Sequence, residues 1–337
     1  MERDQAWHDP VVRHPRLMPS AAAQAAGTSL KADLVALDVS ASFAGEGIPS
    51  LIVRGPSVAK HLYDNDEVRG YLDVDFLVPQ ERVADASSTL ERLGFVYRAV
   101  LSTHPDDRPP WASTWNRQDG GNVDLHWTLV GIGVEPSRVW SLLSEHAEPV
   151  DLLGAPVVGL DDCATCVVVA LHAAHHGIEF EDPLEDLRRA AMRRPIEVWA
   201  SAASLAARLS ATEAFASGLR LVEEGAAVAA RLNLPSGASA ETILRASTAP
   251  PMALGFDWLA QTAGRRAKAR LVAAKIAPSR AFMRSWFRPA RGGGTIALMV
   301  GYVWRPIWLA WHAVPGFRAW RAAARAEREQ PSAQGRR

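Results

Sequence analysis

Asp73 and Asp75 stand two residues apart in an otherwise apolar run, Leu72-Asp73-Val74-Asp75-Phe76-Leu77-Val78. In a strand, residues two apart project to the same face. The two carboxylates therefore lie side by side, while Val74, Phe76 and Val78 turn to the core. Like charges held this close raise each other's pKa unless a cation neutralises them. The expected cation is Mg2+ or Mn2+, because hard divalent ions favour carboxylate oxygens and keep coordination sites for substrate phosphates.

The elements that must hold this pair read as an α+β arrangement. Apolar residues recur at helical spacing over 30–43, the Gly45-Glu46-Gly47 segment breaks the helix, and Leu51-Ile52-Val53 is a short buried strand. Arg54-Gly55-Pro56-Ser57 is a turn from which 58–63 starts a short helix, and a loop over 64–70 leads into the diacid strand. Residues 82–93 form an amphipathic helix closed by Gly94, and 95–101 return as a strand. After a polar, proline-containing insertion at 104–110, strands at 111–117 and 122–127 flank Asp119-Gly120-Gly121, a hairpin signal. In the second strand Asn122, Asp124 and His126 share one face, and Val123, Leu125 and Trp127 the other. From 161 onward nearly every segment reads as helix: 161–176, 184–192, 196–209, 213–232 and 241–246. Ala and Leu dominate there, as helix packing requires.

A chain of 337 residues has the length for roughly two domains of about 150 residues. The patterns divide it into a loose arm over 1–28, a mixed-sheet core over 29–160, a helical domain over 161–263 and a basic, Trp/Arg-rich helical tail over 264–337. The net charge of zero hides an asymmetry: 265–337 holds 16 Lys and Arg against two Glu, so the two halves are expected to meet different partners. The charged, proline-broken start lacks the pattern of a secretory leader, and a cytoplasmic protein is expected. Cys163 and Cys166 have no second pair to complete a zinc site and read as a packed, reduced pair at the start of a helix.

Strand, Gly-containing turn, short helix, diacid strand and a third strand with a lone acid resemble the nucleotidyltransferase superfamily, to which DNA polymerase beta belongs. Local words sharpen the likeness. Arg54-Gly55, His61-Leu62-Tyr63, Arg69, the Asp73–Asp75 strand, Leu93-Gly94-Phe95 and Val123-Asp124-Leu125-His126-Trp127 resemble the family of uncharacterised bacterial nucleotidyltransferases. The likeness covers about 29–200, including the His and Asp residues over 171–187. Two departures stand out: Arg54 replaces the family's Lys, and the superfamily's Gly-Ser reads Gly55-Pro56-Ser57, which removes one backbone N–H.

The resemblance implies a small mixed β-sheet nucleotidyltransferase core flanked by helices, followed by a mostly α-helical C-terminal region. It implies a metal-dependent enzyme that moves a nucleoside monophosphate from an NTP to an acceptor and releases pyrophosphate. Asp73 and Asp75 would hold the metal, with Asp124 as the third metal ligand and the catalytic carboxylate that helps deprotonate the acceptor hydroxyl. Arg54, Gly55, Ser57 and Arg69 would bind the triphosphate; His126, on the face of Asp124, is a cofactor-binding candidate that would hydrogen-bond and orient Asp124, or else an ordinary packed histidine. The acceptor class stays open among small molecule, peptide, sugar, tRNA and protein.

Three further features have competing readings. His172 and His176 are four apart on a helix and share a face; helix-packing polarity leads over a nucleotide contact, and a metal role comes last. Asp182, Glu185 and Asp186 read as a solvated helix face, although the resemblance draws attention to Asp186. In the tail, Arg interleaves with Trp286, Trp304, Trp308, Trp311 and Trp320, and Gly292-Gly293-Gly294 marks a joint before the apolar stretch at 295–314. It could contact nucleic acid, lie peripherally on a membrane as a helix pair, or pack on the rest of the protein. Arg305-Pro306 at the centre of its apolar stretch argues against a spanning helix. The alternative to an enzyme is a noncatalytic member that docks through this tail.

Overall fold

A computed structural model describes residues 20–64, 67–101, 111–247, 249–290 and 294–329. Helix α1 (Ala21–Gly45) starts within the segment expected to be a loose arm, because the Ser20 side chain accepts from Ala23 N and an alanine run follows. The arm's 1–19, the whole polar insertion at 104–110 and the Gly292-Gly293 part of the joint lie outside the described residues. The chain continues through β1 (Leu51–Ile52), α2 (Pro56–Leu62), β2 (Val74–Leu77), α3 (Val83–Arg92), β3 (Val96–Leu101), β4 (Ala112–Asn116) and β5 (Asn122–His126). Gly94 closes α3 with φ +82°, as its position predicts.

The sheet order is β1-β2-β5-β4-β3, mixed, with β2 parallel to β5 and the other pairs antiparallel. Its two faces belong to different cores. Val74, Phe76 and Val78 pack with Val123 and Leu125 against α1 and α3 through Val39, Phe43 and Leu90. Leu51 and Leu77 face the helical side and join Val167, Val168 and Leu171. Period-two alternation thus sends Asp75 and Leu77 toward the helices.

Residues 128–160 add α4 (Pro136–Ser144) and an antiparallel ribbon of β6 (Ala147–Leu152) and β7 (Ala155–Leu160), which the sequence patterns do not announce. Then follow α5 (Asp162–His176), α6 (Glu181–Arg193), α7 (Ile196–Arg208), α8 (Thr212–Leu219), α9 (Glu223–Arg231) and α10 (Ala240–Ala246). The helix expected over 213–232 is broken into α8 and α9. At the end of α8, Gly218 presses on α5 so closely that a Cβ would stand 2.0 Å from Ala170 O, and Arg220 donates to the carbonyls of Leu234 and Pro235. Tertiary contacts, not local propensity, end this helix.

The helical region ends with α11 (Ala253–Gln261), and the tail folds as α12 (Arg265–Ile276), α13 (Arg280–Trp286) and α14 (Thr295–Glu329). The expected helix pair at Arg305-Pro306 is instead one 35-residue helix with Pro306 and Pro315 inside it. A proline removes one intrahelical bond, and packing compensates. Arg305, 5% exposed, donates Nε to Lys275 O at 2.8 Å and lies over the Trp286 and Phe282 rings. No helix among the described residues is long and apolar enough to cross a membrane.

Candidate active site

Asp75 and Asp124 are register partners across the parallel β2–β5 pair, so both project from the same face of the sheet. Asp73 precedes β2 by one residue and follows the same alternation. All three carboxylates line a cavity of about 360 Å³, together with Arg54, Gly55, Arg69, Tyr71 and His126. The opposite wall comes from α5, through His172, His175 and His176.

Asp75 is 4% exposed and doubly partnered. Arg54 Nη2 makes a short charge-assisted hydrogen bond to its Oδ1, and His126 Nε2 lies 2.8 Å from the same oxygen. Burial alone would raise the Asp75 pKa, but Arg54 and His126 hold it below the ordinary value. Sequence reasoning offered His126 to Asp124 or to ordinary packing; the structure sets its ring against Asp75 instead, diagonally across the β2–β5 pair, since register places His126 beside Leu77.

The other two acids have no such compensation. Asp73 stands at the open mouth, where solvent reaches the residue, yet the surrounding protein and the neighbouring Asp75 and Asp124 push its carboxyl up to about 6. Burial and the Asp75 charge raise Asp124 as well, against a hydrogen bond from Thr114, its partner on β4. The site is electrostatically uneven: one carboxylate is held ionised and two are crowded.

Gly55 adopts φ +64°, and a Cβ there would meet Asp73 O at 3.1 Å. A side chain is thus excluded both by backbone conformation and by space. Pro56 occupies the first position of α2, where its missing N–H costs the helix nothing. Ser57 does not face the cavity. It is buried against β7, with its Oγ 3.5 Å from Leu160 N; the helical turn of α2 carries it away from the acids.

Arg69 lines the cavity wall, but its charge is committed. Its Nε and Nη2 grip both oxygens of Asp186 on α6 at 2.7 and 2.6 Å, and the Tyr63 hydroxyl donates to the same carboxylate at 2.9 Å. Asp186 is 2% exposed, so the expected solvated face is wrong for this residue. Helix α6 presents it to the core-side Arg because Leu184 and Leu187 bury the same side of the helix. Arg69 Nη1 also reaches Gly55 O at 3.5 Å, which ties the turn to the helical domain.

The three histidines are neutral near physiological pH. Burial, then Arg54, lowers His172; burial, then Arg245, brings His175 down to about 3; burial, then Arg54, lowers His176. Their rings meet edge to face, with His176 4.5 Å from His172 and 4.8 Å from His175. Sequence reasoning missed Tyr71 and Trp111 as cavity residues. The alternation that paired Asp73 with Asp75 extends back to Tyr71, which also hydrogen-bonds Asp33 of α1, and so carried a usable signal. Trp111 had none, because only its packing against His175, 6.1 Å between ring centroids, brings it to the wall. Cys163 and Cys166 are free thiols, both raised in pKa by burial.

Residues 9–226 match the sequence profile of a family described as uncharacterised nucleotidyltransferase. No curated protein matches the chain. Among solved structures, the antibiotic-resistance factor ANT(2'')-Ia is 16% identical with a TM-score of 0.39, over 54% of this chain and 94% of that one. The lincosamide antibiotic adenylyltransferase LnuA is 12% identical with a TM-score of 0.33, over 47% of this chain and 92% of that one. An antigenic nucleotidyltransferase-like protein from Paracoccidioides brasiliensis is 15% identical with a TM-score of 0.34, over 55% of this chain and 94% of that one.

Proposed function

This chain belongs to that uncharacterised nucleotidyltransferase family, and on this premise we propose that it transfers a nucleoside monophosphate from a nucleoside triphosphate to an acceptor hydroxyl. The observation that carries the reading is the convergence of Asp73, Asp75 and Asp124 with Arg54 and Gly55 on one cavity.

The donor set fits a hard divalent cation. Its ligands are mostly carboxylate oxygens, and Asp75, Asp124 and His126 present ligand atoms within 4.8 Å of one another. Burial first, and then the neighbouring carboxylates, raise Asp73 and Asp124, and a bound cation would relieve both effects. Asp73, Asp75 and Asp124 would hold Mg2+ or Mn2+, which supplies charge neutralisation to the triphosphate and acidifies the acceptor hydroxyl.

The chain's own groups do the rest. Arg54 brings a cation to the phosphates, and its buried Nε has no hydrogen-bond partner among the described residues, which leaves a donor for a phosphate oxygen. Gly55, lacking a side chain, lets the phosphates approach the backbone. Asp124 accepts the acceptor's proton as the acceptor oxygen bonds to the α-phosphorus. The bond from that phosphorus to the bridging oxygen breaks, and pyrophosphate leaves with the electron pair. Arg69 works through Gly55 and Asp186 rather than on the phosphates. The neutral histidines of α5 offer hydrogen-bonding groups to base or acceptor without adding charge.

Each α-labelled nucleoside triphosphate, incubated with Mg2+, the chain and a panel of small-molecule, peptide, sugar, tRNA and protein acceptors, tests the reading. Label transfer and pyrophosphate release are expected from the wild type, with a loss of at least about a hundredfold in Asp73→Asn/Asp75→Asn. Release that survives the double substitution undiminished overturns the mechanism.

A further inference from the structure

The last helix leaves a long apolar face in water. On α14, Ile296 (81% exposed), Val300, Val303, Ile307, Trp311 (80% exposed) and Val314 follow one another at intervals of three or four residues, the spacing of a single helix face. The same spacing continues through Arg318, Arg321, Arg325 and Arg328, all exposed. One face is thus apolar for most of the helix and cationic over its last turns.

Packing fixes the rotation of this face. The opposite side of α14 buries Leu298, Gly301, Arg305, Gly316 and Ala323. A Cβ on Gly301 would touch Phe287 at 3.0 Å and one on Gly316 would meet Met252 at 2.6 Å. The helix cannot turn its apolar stripe inward without losing these contacts.

The chemistry of the stripe selects its partner. Its aliphatic residues need an apolar phase, and the arginines need phosphates. Residues 265–337 hold 16 Lys and Arg against two Glu, so the partner is anionic. A nucleic acid supplies phosphates but nothing for Ile296, Val300, Val303, Ile307 and Val314. A bilayer of anionic lipids supplies both, acyl chains beneath and phosphates above. Trp304 and Trp311 sit on the stripe as rings suited to the boundary between them.

We propose that α14 lies in the surface of an anionic bilayer, its apolar stretch sunk to the acyl boundary and Arg318, Arg321, Arg325 and Arg328 on lipid phosphates. The proposal is independent of nucleotidyl transfer and stands or falls on its own measurement.

Cosedimentation of the full chain with vesicles of phosphatidylcholine and phosphatidylglycerol in equal parts, and with vesicles of phosphatidylcholine alone, tests it. Retention is expected on the anionic vesicles only, and added salt weakens it. Arg318→Gln/Arg321→Gln/Arg325→Gln lowers partitioning on the order of a hundredfold. Val303→Ser/Ile307→Ser/Trp311→Ser abolishes it while circular dichroism stays unchanged, since these side chains face solvent. Absence of binding, or equal binding to both vesicles with no loss in the arginine variant, overturns the proposal. So does a dimer of the free chain that the serine substitutions dissolve, which assigns the stripe to a second copy. Oligonucleotide binding in place of vesicle binding, indifferent to the serine substitutions, also overturns it.

Discussion

Three carboxylates in one cavity carry opposite electrostatic burdens, and substitution separates them. Asp73, raised to about 6, and Asp124, also raised, are ionised at a cost to the folded state. Asp73→Asn and Asp124→Asn are therefore expected to leave the melting temperature unchanged or higher, while nucleotidyl transfer falls by at least about a hundredfold. Asp75 is held ionised by Arg54 and His126, so Asp75→Asn loses both activity and stability. A melting temperature that drops equally for all three variants contradicts this assignment. Arg54→Met leaves Asp75 buried with only His126 beside it and is expected to cost about 3 kcal/mol in urea denaturation. Arg54→Lys recovers part of that loss, since it restores charge without the guanidinium fork.

At the scale of elements, the Gly55 turn is held from two sides. Its own conformation excludes a side chain, and Arg69 fastens it to Asp186 of α6. Asp186→Ala strands the Arg69 guanidinium without its bidentate partner, and a loss of about 3–5 kcal/mol is expected. The same variant should weaken nucleotide binding, read by titration calorimetry with a nonhydrolysable triphosphate, because the turn loses its tether. Tight binding by a destabilised Asp186→Ala would show that the tether does not position the turn. Gly55→Ala, by comparison, costs about 1–2 kcal/mol from the left-handed backbone alone, and more as its Cβ meets Asp73 O.

The whole molecule places the cavity where the sheet meets α5, and this makes stability depend on pH through histidines. His172, His175 and His176 all have folded values below the ordinary 6.5, with His175 at about 3. On acidification the unfolded chain takes up these protons first. Their contribution is complete above about pH 6.5 and is lost as pH falls toward about 3. Asp73 runs the other way, because its folded form gains a proton first. His175→Gln keeps the carboxylate contribution and removes one histidine's share. Its melting temperature should therefore fall less than that of the wild type between about pH 7 and pH 5, and parallel curves would refute the assignment.

What the sequence determined by itself was local. Alternation along 72–78 and 122–127 assigned faces to Asp73, Asp75 and Asp124; Gly94 marked the end of α3; Asp119-Gly120-Gly121 marked the β4–β5 hairpin. These readings rest on a period of two or 3.6 residues and on turn chemistry, which act within a few residues of the chain. Tertiary structure decided what lies far apart in sequence. It set Asp75 beside Asp124 through parallel pairing, joined Arg69 to Asp186, gave His126 to Asp75 and turned Ser57 away from the cavity. It also laid the α5 histidines over the sheet and carried α14 through two prolines. Each of these follows from which faces find one another when the sheet, α5 and α6 close on a shared core, a choice that local spacing does not encode.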